Sequence, residues 1–292
     1  DTLHKERFPS SVKVSGQERE IFRFGHRKLF HFVFVGGEME YLVIGDLCYS
    51  TGPEHIETKE NAYLHVKDGK CLAVYESLPS NCSALEIKDY RGKLVLPGMV
   101  DLHLHAPQYA YRGTKMDLPL LDWLNINTFP EEAKYRDTDY ARVAYRNFVE
   151  DLKESPTTRA VIFGTLHKDA TLCLMELLEE SGLETMVGKV NMDRNSPDYL
   201  TEHSAEESLK NTREWLEEIP KNYRHCRPIL TPRFTPTCSD ELLLGLGKMM
   251  EEKGIPLQSH LSENKAEIAW VSELCPATRN YGESYDRYGL LN

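Results

Sequence analysis

The chain has 292 residues, 40% of them hydrophobic, enough for one large domain or two ordinary ones around a buried core. Its 35 Lys and Arg are outnumbered by 46 Asp and Glu, for a formal charge of -11, so no positive field exists to hold a phosphate backbone and no nucleic-acid partner is expected. The most apolar early run, Leu29 to Val35, contains His31 and is far shorter than the roughly 20 residues of a membrane span, so no membrane partner is expected. Seven scattered cysteines without a C-x-x-C pair, and no visible secretory segment, point to reduced thiols and a cytoplasmic location. Any metal must then be held by His and carboxylate.

In residues 1–38, Lys5, Arg7, Lys13, Arg19, Arg23, Arg27 and Lys28 outnumber the acidic groups, and no helical or strand period persists. This segment reads either as a disordered basic arm or as translated upstream sequence, with Met39 the start, directly before a clean strand pattern at Tyr41 to Leu47. Residues 39–96 carry short strands and turns: Tyr41 to Leu47, Ala62 to Lys67, Cys71 to Glu76 and Lys93 to Leu96, with Asp68-Gly69 a strong hairpin signal. They predict the N-terminal part of a small β-sandwich-like module. After Pro97-Gly98 apolar strands alternate with amphipathic helices, the pattern of a parallel sheet or barrel. The predicted strands are Met99 to His105, Arg159 to His167, Thr185 to Asp193, Pro228 to Phe234 and Ile255 to His260. The predicted helices are Asp139 to Glu154, Ala170 to Glu180, Ala205 to Ile219 and Asp240 to Lys253, with Ser239 an N-cap and Gly182 and Gly254 C-terminal glycines.

Each of these strands ends in polar or ionisable residues: His103 and His105, Thr165 and His167, Asn191 and Asp193, Arg233, then His260 with Glu263 just beyond. In a (β/α) barrel that edge carries the catalytic groups. In His103-Leu104-His105 a strand period of two turns both imidazoles to one side and Leu104 toward the surrounding helices. The pair reads as two ligands of one ion or as two satisfied histidines at a strand end, and the lead-in from Pro97 to Leu102 weighs toward the ion. His260 supplies a third nitrogen from another strand, and three protein ligands leave an open, catalytic position. Glu263 reads either as a carboxylate that moves protons beside the ion or as a helix-start carboxylate.

Pro97-Gly98-x-Val100-Asp101-x-His103-x-His105 resembles the first-strand motif of the amidohydrolase superfamily. The continuation His105-Ala106-Pro107-Gln108-Tyr109, Asp117 to Leu124, Thr128-Phe129-Pro130-Glu131, Val187-Gly188-Lys189-Val190, Thr231-Pro232-Arg233-Phe234 and Gln258-Ser259-His260-x-Ser262-Glu263-Asn264 resemble the guanine deaminases within it, over about residues 40–292. The resemblance implies an α/β fold: a partial (β/α)8 TIM-like metal-dependent hydrolase barrel, residues 97–292, preceded by the small β module. It implies a zinc enzyme, with ferrous iron also suited to the donor set, that converts guanine and water to xanthine and ammonia. His103, His105 and His260 would bind the metal, Glu263 would carry a proton from the activated water to the ring nitrogen beside C2, and Gln108, Arg233 and Phe234 would form the substrate pocket. His167 and Asp193 would support the rim. The expected partner is a small-molecule purine, guanine, and the full-length form is expected as a homodimer. The same His and Glu chemistry would serve another aminated purine, pyrimidine or triazine, and a third reading is a non-catalytic binding protein. A complete barrel needs eight strands over about 250 residues, while five are countable after Pro97 and the family's later His and Asp have no counterpart here. The expectation is therefore a fragment of a longer gene product, inactive by itself.

Overall fold

The structure, a computed structural model, describes residues 40–291, so the reading of residues 1–38 lies outside the described residues. Strands β1 (Glu40–Gly52), β2 (His55–Lys67), β3 (Lys70–Tyr75) and β4 (Glu86–Val95) form one mixed sheet in the order β3-β2-β1-β4. β1 runs antiparallel to β2 and parallel to β4. The Asp68-Gly69 hairpin forms as expected: Lys67 pairs with Lys70, and both turn residues are left-handed, with φ of +48° and +74°. β4 starts well before the predicted Lys93. Its pairing with β1 jumps from Tyr90 to Leu94 across a bulge at Arg91 to Lys93, and that extra length destroys the alternation by which the earlier half would have been read.

The second unit begins with β5 (Met99–His105), followed by two short helices, α1 (Leu120–Trp123) and α2 (Phe129–Glu132), and by α3 (Thr138–Glu154). Then come β6 (Thr157–Phe163), α4 (Lys168–Ser181), β7 (Glu184–Gly188), β8 (Val190–Asn191), α5 (Ala205–Glu218), β9 (Cys226–Pro228) and β10 (Thr231–Pro232). Helices α6 (Asp240–Lys253), α7 (Lys265–Leu274) and α8 (Glu283–Asp286) complete it. β5, β6, β7 and β9 lie side by side in one parallel sheet, and β8 and β10 extend it as a parallel pair. Parallel neighbours joined by helices are the arc of a (β/α) barrel. Tyr145, Phe148 and Leu152 of α3 and Leu174, Met175 and Leu178 of α4 cover its outer face, packed with Ile162, Val187, Trp215 and the partly buried Leu104. Leu104 thus turns to the helices, as the alternation predicts.

Two expected strands are broken. The run Thr185 to Asp193 is interrupted at Lys189, whose buried ammonium donates to the Val190 carbonyl at 3.1 Å and to Glu202 Oε1 at 2.7 Å. Just before it, Gly188 packs so closely that a Cβ there would lie 1.7 Å from Thr231 Oγ1, so no larger residue fits without displacing the next strand. The run Pro228 to Phe234 is likewise split at Ile229 and Leu230. The predicted strand Ile255 to His260 shrinks to a single bridge, Leu230 to Leu257, in which Leu230 N–H donates to the Pro256 carbonyl and Gln258 N–H to the Leu230 carbonyl, both at 2.9 Å. Pro256 has no N–H to extend that ladder. Ser239 caps α6 by accepting from Leu242 N–H, and Gly182 and Gly254 end α4 and α6 in the left-handed region, as expected. No helix among the described residues is long and apolar enough to cross a membrane. All seven cysteines are free.

Candidate active site

The C-terminal ends of the strands bring three imidazoles together. His105 Nε2 stands 3.3 Å from His103 Nε2 and 2.9 Å from His260 Nε2, and the three potential ligand atoms lie within 4.8 Å of one another. β5 is not a flat strand here: between Asp101 and Leu104 its register against β6 slips, and Asp101 Oδ1 accepts from His103 N–H at 3.1 Å. The bulge, as well as the period of two, aims His103. His260 is oriented from behind, its Nδ1–H donating to the Arg233 carbonyl at 2.6 Å, so the lone pair is on Nε2 and faces the other two rings. Phe163 forms the wall, its ring stacked 4.4 Å from His105 and tilted against His260 at 4.6 Å.

Burial favours the neutral form of His105 and His260. Burial, then the positive side of His260, Arg233 and His103, holds His105 well below the usual imidazole range. Burial lowers His260 to about 4, with the Arg233 carbonyl opposing and the Arg233 charge reinforcing the shift. Two nitrogens bound to one tetrahedral ion at about 2.0–2.1 Å stand roughly 3.3–3.4 Å apart. The His103–His105 spacing of 3.3 Å fits that geometry, and the His105–His260 spacing of 2.9 Å requires a few tenths of an ångström of opening. Three imidazole nitrogens converging on one point suit a divalent ion of the zinc or ferrous type.

Glu263 follows His260 on a tight turn in which Ser262 takes a φ of +58°. Its side chain is open to solvent on one side, yet the protein around the carboxyl and the adjacent Glu267 carboxylate raise its pKa, while His103 and Arg233 pull it down. The helix start lies one residue further on: Asn264 caps α7 in a capping box with Glu267, so Glu263 itself precedes the helix. Glu267, fully buried, accepts from the Glu263 N–H at 2.9 Å, the Asn264 N–H at 3.1 Å and the Tyr281 hydroxyl at 2.6 Å. α8 supplies a second brace: Tyr285 Oη donates to the His260 carbonyl at 2.7 Å and accepts from Thr235 N–H at 3.0 Å. Sequence reasoning assigned no role to Glu267, Tyr281 or Tyr285. The Asn264-x-x-Glu267 spacing is a capping-box signal that would have found both Glu267 and α7.

Arg233 is buried and paired in a fork with a residue that sequence reasoning also missed. Glu132 at the end of α2 accepts from Nη1 at 2.6 Å and from Nη2 at 3.1 Å, with the Phe129 ring 5.1 Å from the guanidinium carbon. Gln108 is half-buried in the 3-10 turn Ala106–Tyr111 that follows β5. Phe234 is buried in a cluster with Phe129, Phe163 and Met192, its edge toward Trp270. His167 is held at about 4, chiefly by burial and then by Arg136 and Lys189, and its Nε2 is buried without a partner. Asp193 is turned away from the histidines: its Oδ1 accepts from Ser239 N–H at 2.7 Å and its Oδ2 from the Ser239 hydroxyl, so it braces the start of α6.

The sequence matches the amidohydrolase family over residues 94–292. The guanine deaminase of Mus musculus is 39% identical over 261 residues, covering 85% of this chain and 57% of that protein. The guanine deaminase of Dictyostelium discoideum is 43% identical over 205 residues, 70% of this chain and 45% of that protein. Among solved structures, a guanine deaminase from C. acetobutylicum with guanine bound in its active site superposes with a TM-score of 0.82 at 44% identity, covering 86% of this chain and 60% of that one. The chain spans about half the length of the curated relatives it matches.

Proposed function

The chain belongs to the amidohydrolase family, and from that premise we propose that its site serves the hydrolytic deamination of guanine to xanthine and ammonia in the full-length protein. The observation that carries the reading is the convergence of the His103, His105 and His260 Nε2 atoms beside Glu263 and Arg233. His103, His105 and His260 would hold the ion, zinc or ferrous iron, which would supply activation of the water and polarisation of the reacting centre. The Nδ1–H to Arg233 carbonyl bond fixes the tautomer of His260, and depressed pKa values keep His105 and His260 available as neutral donors at pH 7.

Glu263 moves the protons. Its carboxylate takes one from the attacking water and passes it to the ring nitrogen beside C2, making that carbon more electrophilic as its C–O bond forms. The remaining proton of the new C2 hydroxyl is then carried by the same carboxylate to the exocyclic amine, which leaves as ammonia as the C–N bond breaks and the C2 carbonyl forms. A pKa raised by its surroundings brings the acid and base forms of Glu263 closer to balance near neutral pH. Arg233 and Gln108 donate to the O6 and N7 acceptors of the base, and Phe234 closes the apolar side. The full-length form is proposed to act as a cytoplasmic homodimer.

The test is turnover. Full-length protein reconstituted with zinc, given guanine, adenine, cytosine and an aminotriazine in turn, should release ammonia and xanthine from guanine in preference to the rest. Folded, metal-replete protein without guanine turnover would overturn the reading.

A further inference from the structure

Arg233 brings a full positive charge to a site where it is only 3% exposed, and Glu132, 2% exposed, meets it with both carboxylate oxygens. The pair joins chain segments 101 residues apart. A buried guanidinium without a counter-ion would draw the most anionic group a ligand could offer. Here the counter-ion is built in, so the pair carries no net charge. One N–H of each terminal nitrogen is engaged by Glu132, and the remaining donors keep a fixed plane and direction. A neutral carbonyl can accept from them. A ligand carboxylate brought to the same nitrogens would instead meet the Glu132 carboxylate alongside.

Resting on the guanine reading above, we propose that Glu132 determines specificity by positioning Arg233 and cancelling its charge, so that this end of the pocket takes neutral oxo-heterocycles and excludes anionic rings. The arrangement separates this role from holding the histidines. The main chain of Arg233 is anchored independently, its N–H donating to the Asn191 carbonyl at 3.2 Å while its own carbonyl accepts from His260. Metal content therefore serves as the control for variants at Glu132.

The wild-type full-length enzyme gives a first test in which no folding defect can intervene. Guanine, 2-aminopurine, which lacks the oxo group, and purine-6-carboxylate are compared. Loss of the acceptor should lower kcat/KM by roughly 10- to 100-fold, the range for a hydrogen bond to a charged donor, and the carboxylate should inhibit no better than 2-aminopurine. Inhibition by the carboxylate at concentrations below the guanine KM would mean that Arg233 keeps an unpaired charge, and would overturn the proposal. Wild-type enzyme that is folded and metal-replete yet ignores guanine would refute the deaminase reading instead, so the two failures are distinct.

The second test is Glu132→Gln. Guanine KM should rise about 10-fold or more with a smaller change in kcat, while purine-6-carboxylate gains about 10-fold in affinity, on the scale of one charged hydrogen bond. Glu132→Asp, which keeps the neutral pair, should show no such gain. A merely structural role predicts that Glu132→Gln weakens guanine and carboxylate alike and lowers metal content, and that outcome would overturn the proposal. Should Glu132→Gln not fold, the wild-type comparison and Glu132→Asp decide.

Discussion

Tyr285→Phe removes one oxygen atom from behind the histidine cluster and leaves the shape of the side chain nearly intact. Tyr285 is 2% exposed, its hydroxyl donates to the His260 carbonyl at 2.7 Å, and it accepts from the N–H of Thr235, itself fully buried, at 3.0 Å. The ring packing against Tyr281 and Leu290 survives the substitution, so the loss isolates the polar contacts. Each buried polar group left without a partner costs about 1–3 kcal/mol. The Ser259 hydroxyl, 2.9 Å from the same oxygen, keeps its bond to the Pro232 carbonyl, so two main-chain groups are left, of which the His260 carbonyl is only part-buried, for an expected destabilisation of about 2–4 kcal/mol. The same deletion frees the main chain that carries His260, and loss of an orienting partner of a ligand typically weakens metal affinity by about 10- to 100-fold. Urea unfolding of the metal-free full-length protein reads the first effect, and competition against a chelating dye reads the second. An unfolding midpoint shifted by less than the equivalent of about 0.5 kcal/mol, with zinc affinity unchanged, would refute the reasoning, because a surface-like effect of that size is what an uninvolved hydroxyl would give.

Three further outcomes follow from the site. His103→Ala in the full-length protein should lose stoichiometric metal and activity together, measured by elemental analysis and ammonia release, and retention of both would make the pair at the end of β5 structural. Glu263→Gln should keep its metal while the rate falls by about 10²- to 10⁴-fold or more; loss of the metal would make Glu263 a ligand. His167 and His260 are both held at about 4, against about 6.5 for a solvated imidazole, so the unfolded chain binds more protons between those values. The stability they support is complete above about 6.5 and is lost as pH falls toward about 4, so urea midpoints of the metal-free protein should drop across that window, and less steeply in His167→Leu. Midpoints that stay flat would contradict the depressed values.

The parts of the site legible in the sequence are those fixed by local chain geometry. His103 and His105 share a strand, and His260 and Glu263 share one turn, so spacing alone proposes them as neighbours. Ser239, Gly182 and Gly254 were readable for the same reason, because caps are decided within a few residues. Glu132 was not readable: its meaning comes from Arg233, 101 residues away, and nothing local distinguishes it from a solvated glutamate. β7, β8 and β10 blurred because they are only two to five residues long and mostly buried, which removes the alternation that marks a strand. The interruptions at Lys189 and at Ile229 and Leu230 reflect side chains and carbonyls arriving from elsewhere in the barrel.

The hydrogen bond from His260 to position 233 is made to a main-chain oxygen, an atom that every amino acid possesses. The guanidinium of Arg233 points to a different partner, Glu132. On the proposed reading, anchoring and recognition fall to separable atoms of one residue. A lineage drifting through sequence space, or an engineer, can exchange the side chains at Glu132 and Arg233 without unseating the imidazole behind them. If the proposed reading holds, the hydrolytic frame would be inherited while the accepted ring is rewritten, and the route from one heterocycle to another would run through a few pocket substitutions beside an unchanged histidine cluster.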